Sequence, residues 1–136
     1  MITLQVFELL EATQKFEKKL NLALMYTGLR IPQFRLMMFL KTSGKITVSD
    51  LSRHMNVTSA TMSVLVNQLL KASIVESIDN SKDKRSFYVK LTESGLKRLI
   101  LAETEARLVE EKISKDIPIE IITALNQFSR TLLSKD

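Results

Sequence analysis

Thr47-Val48-Ser49-Asp50-Leu51-Ser52-Arg53-His54-Met55-Asn56-Val57-Thr58-Ser59-Ala60-Thr61-Met62 decides the fold. Each half opens on a threonine suited to capping a helix, because a side-chain oxygen there accepts an otherwise unpaired N–H of the first turn. Thr47, with Asp50 three residues on, resembles a capping box in which aspartate replaces the usual glutamate or glutamine. Val48, Leu51 and Met55 form the inner stripe of this short helix. After Asn56-Val57, Thr58 opens another, predicted to run to about Ala72. Two short helices joined by so tight a turn are the parts of a helix-turn-helix.

The period then changes from helical to alternating. Val75-Glu76-Ser77-Ile78-Asp79 and Ser86-Phe87-Tyr88-Val89-Lys90-Leu91 read as strands, and the polar stretch from Asn80 to Arg85 between them reads as a hairpin tip. A helix-turn-helix followed by a hairpin is a winged helix-turn-helix. Upstream, Ile2, Val6, Leu9, Thr13, Phe16, Leu20 and Ala23 recur at three- and four-residue steps, which predicts an amphipathic helix over residues 2–24 that Gly28 breaks. A second helix has Pro32 in its first turn and Phe34, Met37, Met38 and Phe39 as apolar content, and it ends at Gly44 near Lys41 and Lys45. Downstream, Thr92 caps a long helix carrying Leu96, Leu99, Ala102, Ala106, Val109 and Ile113. Ile117-Pro118 interrupts it, and a last helix carries Ile121, Leu125, Phe128 and Leu132 on one side. The predicted fold class is mainly α with a small β-hairpin, a single domain over residues 1–136. Within it, residues 31–92 form the winged region, while 1–27 and 93–136 form a helical dimerisation region.

Composition narrows the functional classes. A chain of 136 residues, 45% hydrophobic and 26% charged, is a folded globular domain. The absence of cysteine excludes disulfides, thiol catalysis and Cys-ligated zinc. No apolar run reaches the roughly 18 residues of a membrane span, and no secretory-signal pattern opens the chain, so the expected compartment is the cytoplasm. The net charge of +5 is uneven: residues 1–102 carry fifteen basic and eight acidic side chains, residues 103–136 five and seven. A basic body with a mildly acidic tail suggests one surface for a polyanion and another for something else, against the plain alternative of a solvated surface with ordinary scatter.

The helix opened by Thr58 separates into two faces on a wheel of about 100° per residue. Met62, Leu65, Val66 and Leu69 fall together and pack inward, whereas Ala60, Val64, Asn67 and Lys71 lie opposite, flanked by Thr61, Ser63 and Gln68. Small outer residues allow close approach to base edges. Asn67 or Gln68 is suited to bidentate pairing with adenine, Val64 or the Thr61 methyl to a thymine methyl. Thr58, Ser59 and the helix N-terminus are suited to a phosphate. The plain alternative is a face that merely meets water, although such faces carry more Lys and Glu than this one. In the hairpin, Lys82, Lys84 and Arg85 crowd three cations around Asp83. An arginine at a wing tip suits a narrow A·T minor groove, and the carboxylate can hold its guanidinium in position. The alternative is a solvated turn that protects strand edges.

Other chemistries find little support. His54 is the only histidine, placed on the exposed side of its helix, so no multi-histidine metal site can be built. The three glycines, Gly28, Gly44 and Gly95, sit at helix junctions rather than in a phosphate loop, and Glu110-Glu111 solvate a helix surface. Neither an enzyme nor a resident cofactor or metal is expected. Met37, Met38, Met55 and Met62 read as core filling rather than as a redox sensor.

With these residues in view, the sequence resembles the MarR family of winged-helix transcription regulators over nearly the whole chain, most closely from Ile31 to Leu99. The resemblance rests on Ile31-Pro32-Gln33, Val48-Ser49-Asp50-Leu51-Ser52, Val57 through Ser63, the wing pattern Asp83-Lys84-Arg85, and Val89-Lys90-Leu91-Thr92-Glu93-Ser94-Gly95. It implies a homodimer, paired through the first, fifth and sixth helices, on a pseudo-palindromic operator in double-stranded DNA. The fourth helix would enter the major groove, with Arg85 in the minor groove, oriented by Asp83. It further implies repression of neighbouring genes and release by a small aromatic or phenolic ligand. Many members carry an arginine where this chain has Val64, so the expected site is A·T-rich and the affinity modest. An effector pocket is expected where the first, second and fifth helices meet, walled by Met25, Tyr26, Phe34 and Met38, against the plain alternative that these four are ordinary core. The alternative function is a winged-helix module that docks a protein partner with weak or no DNA binding, a reading kept open by the uncharged face around Val64.

Overall fold

The computed structural model describes residues 1–135; Asp136, the end of the predicted C-terminal region, lies outside the described residues. Helix α1 (Val6–Leu24) passes through a 3-10 turn (Met25–Thr27) to Gly28, whose φ of 73° lets the chain reverse. Then follow α2 (Ile31–Ser43), β1 (Lys45–Thr47), α3 (Val48–Met55), α4 (Ser59–Lys71), β2 (Val75–Asp79), β3 (Phe87–Leu91), α5 (Glu93–Ser114) and α6 (Ile119–Ser134).

Two expectations change. The first helix starts at Val6 rather than residue 2, and Ile2 is fully exposed: among the described residues nothing packs against it, and an unpacked helix end does not hold. The hairpin gains a third strand. Lys45, Ile46 and Thr47 pair antiparallel with Lys90, Val89 and Tyr88, giving the sheet order β1-β3-β2. Lys45 also lies 4.7 Å over the Tyr88 ring, a diagonal cation–π contact across this pair.

The core gathers Leu36, Met37 and Leu40 of α2, Leu51 and Met55 of α3, and Met62, Leu65, Val66 and Leu69 of α4, closed by Val75, Val89 and Leu99. Between α3 and α4, Asn56 takes the left-handed conformation (φ 54°) that asparagine tolerates well, ending α3 sharply enough for Thr58 to start the next helix.

At the head of α5 the chain closes against itself through backbone. The Thr92 N–H donates to the Ile74 carbonyl at 3.0 Å, and its hydroxyl donates to the Ser73 carbonyl at 2.7 Å while accepting from the Gly95 N–H at 2.9 Å. This brings Gly95 directly against the Ile74 carbonyl. The far end of the chain is different in kind: α6 buries none of its described residues and leaves Ile121, Leu125, Leu132 and Leu133 exposed. Among the described residues, no helix is long and apolar enough to cross a membrane.

Candidate nucleic-acid interface

Helix α4 keeps all its large apolar side chains except Val64 turned inward. Met62, Leu65, Val66 and Leu69 are buried, whereas Ser59, Ala60, Thr61, Ser63, Val64, Asn67, Gln68 and Lys71 are exposed. Val64 is 57% exposed, an apolar side chain standing on an otherwise small and polar face. The Thr58 hydroxyl is occupied locally: it accepts from the Thr61 N–H at 3.1 Å and donates to Thr61 Oγ1 at 3.0 Å. Thr58→Ala is therefore expected to cost about 1 kcal/mol in urea or thermal unfolding, the usual worth of such a cap.

The carboxamide of Gln68 is also engaged, by a partner that the sequence reading missed. Gln33 Nε2 donates to Gln68 Oε1 at 3.0 Å, while Gln33 Oε1 accepts from the Arg30 N–H at 2.9 Å. Gln33 stands at the third position of α2, where capping-box glutamines reach back to the N-cap backbone, and that spacing is the signal for it.

The wing tip is ordered by its own side chains. Asn80 Oδ1 accepts from the Lys82 N–H at 3.1 Å, and Asn80 Nδ2 donates to Ser86 Oγ at 3.0 Å. Asp83 Oδ1 accepts from the backbone N–H of Arg85 at 3.0 Å and from its Nε at 3.4 Å. The Arg85 side chain is nevertheless 93% exposed. Lys82 and Lys84 are exposed beside it. The structuring roles of Asn80 and Ser86 were not anticipated, although Asx turns of this kind are what asparagine and aspartate favour.

On α3, the Arg53 guanidinium bonded to Asp50 holds that exposed carboxyl below the usual carboxylate range, with the Thr47 hydroxyl as a smaller cause. A group lowered in this way stabilises the fold above its ordinary pKa and loses that contribution as pH falls through the lowered value. Arg53→Ala is expected to return the Asp50 titration, followed by carboxyl NMR, toward ordinary values, and to differ from the parent in stability at neutral pH but not in strong acid. His54 is exposed on the same helix, its ring 6.3 Å from that of Phe39.

The four expected pocket residues do not form one wall. Tyr26, 93% exposed, lines a cleft with Lys97, Arg98 and Leu101 of α5, whereas Met25 lines another with Lys18 and Asn21 of α1. Successive residues of a 3-10 turn point about 120° apart, which separates these neighbours. Phe34 packs on the core, and Met38 stands partly exposed on α2.

Comparison with known proteins agrees with this architecture. Residues 29–87 match the MarR family model. The uncharacterized HTH-type transcriptional regulator YfiV of Bacillus subtilis (strain 168) is 30% identical over 73 residues, covering 54% of this chain and 46% of that protein, so the chain spans about half the length of this curated relative. Wild-type apo MarR from E. coli superposes with a TM-score of 0.83 at 20% identity, over 98% of this chain and 99% of that one. A mutant MarR from E. coli complexed with operator DNA gives 0.84 at 21% identity, over 94% and 93%. CouR from Rhodococcus jostii bound to p-coumaroyl-CoA gives 0.80 at 16% identity, over 94% and 90%. Residues 29–87 thus match the MarR family model over the winged helix-turn-helix, and the chain as a whole shares the fold of the solved MarR structures.

Proposed function

We propose that this protein is a dimeric, sequence-specific DNA-binding regulator of transcription, working in the cytoplasm as a repressor on a pseudo-palindromic, A·T-rich operator. The observation that carries the reading is the small, nearly uncharged outer face of α4, combined with a wing whose Asp83 carboxylate steadies an exposed arginine. Helix α4 reads the major groove through Asn67, Gln68 and Val64, and Ser59 with the helix N-terminus meets a phosphate. Arg85 enters the minor groove, with Lys82 and Lys84 on the backbone. The fold shared with a MarR structure solved on operator DNA supports this assignment.

The exposed apolar side chains of α6, together with Val6, Phe7 and Leu10 of α1, support pairing of two copies through the chain ends. A two-fold dimer sets two reading heads about one DNA turn apart, roughly 34 Å. Release by a small aromatic ligand is part of the proposal: the cleft beside Tyr26 combines its ring and the Leu101 side chain with Arg98 and with Lys97, which pairs with Glu93 at 3.9 Å, a lining that suits an aromatic ring bearing a polar group. No catalytic step is assigned to any residue.

Selection of bound duplexes from a random pool tests the reading. The purified protein is expected to sediment as a dimer and to enrich an A·T-rich inverted repeat, with affinity falling steeply between about 50 and 200 mM salt as counterion release requires. A pool left unenriched, with binding weak and insensitive to salt, would favour a winged-helix module that docks a protein partner through the face around Val64.

A further inference from the structure

The hydrogen bonds joining α2 to α4 have a fixed polarity. A backbone N–H can only donate, so the N–H of Arg30 requires the carbonyl oxygen of the Gln33 side chain at 2.9 Å. That turns the Gln33 NH2 group toward α4, where it requires an acceptor and meets Gln68 Oε1 at 3.0 Å. The orientation of the exposed Gln68 amide is thus set from the α2 backbone, with its oxygen held toward α2 and its NH2 left as the free end.

We infer that Gln33 is a positioning residue for base readout: it makes Gln68 a predominantly donating contact that favours an acceptor edge in the major groove. This rests on the proposed reading of α4 as the groove-facing helix. Bidentate pairing with adenine needs the glutamine oxygen to accept from N6 while the NH2 donates to N7. With one of the oxygen's two lone pairs taken by Gln33 and the amide held in that orientation, its capacity to accept from N6 is reduced while both NH2 hydrogens stay free, so Gln68 loses much of the advantage that adenine would give it. Guanine offers two acceptors, O6 and N7; thymine offers O4; adenine offers N7 beside its N6 donor; cytosine presents a donor and is refused. At the base that Gln68 faces, the order is guanine, then thymine, with cytosine last, inside an operator otherwise rich in A·T. Asn67 has no such constraint from Gln33 and keeps the adenine role.

Gln33→Glu tests this directly. A carboxylate still accepts from the Arg30 N–H but cannot donate, so the Gln68 NH2 turns toward it and the Gln68 oxygen turns outward. Duplex selection with the full chain is expected to move one symmetric base position per half-site from guanine or thymine to the donor-bearing adenine or cytosine. The change in ratio is on the order of tenfold, the scale of a good base contact. The added charge weakens all duplexes together, so the ratio between bases is what is read. Gln33→Ala, which removes both contacts, is expected to relax the preference without reversing it, a difference that loss of a helix cap cannot produce. Gln68→Ala should abolish the preference and make the Gln33 variants select alike. If the parent and Gln33→Glu enrich the same base at every position, the inference is overturned while the regulator reading stands. If the parent enriches no sequence, that reading fails and the inference with it.

Discussion

Arg85→Ala is expected to weaken binding to the selected duplex by on the order of a hundredfold while leaving the unfolding midpoint and sedimentation unchanged. The side chain is almost wholly exposed, so its removal uncovers no core. Among the described residues its one side-chain partner is Asp83, which takes the Nε side of the guanidinium and leaves the terminal nitrogens free in a planar fork. A well-made arginine contact to DNA is worth about 1–3 kcal/mol, and a two-fold dimer loses it twice. Arg85→Lys should rescue little, because an ammonium cannot hold the aspartate and the groove at once. Asp83→Ala should weaken binding less than loss of the arginine does, because the cation survives but is no longer aimed. Titration of a labelled duplex at fixed salt measures all three. Equal affinities for Arg85→Ala and the parent would remove the wing from the interface.

Gly95→Ala is expected to destabilise the fold by more than about 3 kcal/mol, enough to unfold a large fraction of a domain of ordinary stability. A Cβ at this position would stand 2.0 Å from the Ile74 carbonyl oxygen and 2.9 Å from its carbon. Backbone atoms cannot swing aside as a flexible side chain would. Relief requires α5 to lift from the start of β2, which breaks the bonds that Thr92 makes to Ser73 and Ile74. Gly44→Ala is the matching control. Among the described residues nothing lies near a Cβ there, so only the backbone, with φ 77° and ψ −82°, opposes the change, at about 1–3 kcal/mol. Urea unfolding of the two variants separates collision from backbone preference; similar losses for both would mean that α5 and β2 sit less tightly than described.

Local chemistry made most of this architecture legible before the structure. Thr47, Thr58 and Thr92 cap the helices they were expected to cap, because capping is settled within four residues. The inward set of α4 follows from its period alone. The features that escaped depend on partners distant in the chain. Strand β1 is three residues long and exists only because Ile46 meets Val89, a pairing that no local periodicity encodes. Gln33 and Gln68 are likewise joined by tertiary approach, so residue types near Gln68 could not say that its oxygen is already engaged. The expected pocket scattered because Met25 and Tyr26 are neighbours in a 3-10 turn, whose side chains point into different clefts, and nothing in the residue types at a helix junction says which way each one points.

The closure of Thr92 and Gly95 on Ile74 bears on how the molecule would signal. No side chain cushions the contact between the helix that leads toward the chain's far end and the strand that leads to Arg85. In the proposed dimer each subunit therefore behaves as a bent lever with a stiff elbow, and a small twist at the subunit seam arrives at the fingertip undamped. The span between the two arginines becomes a caliper setting, and a ligand wedged beside Tyr26, next to that elbow, could take the jaws out of step with the helical repeat without touching a single base.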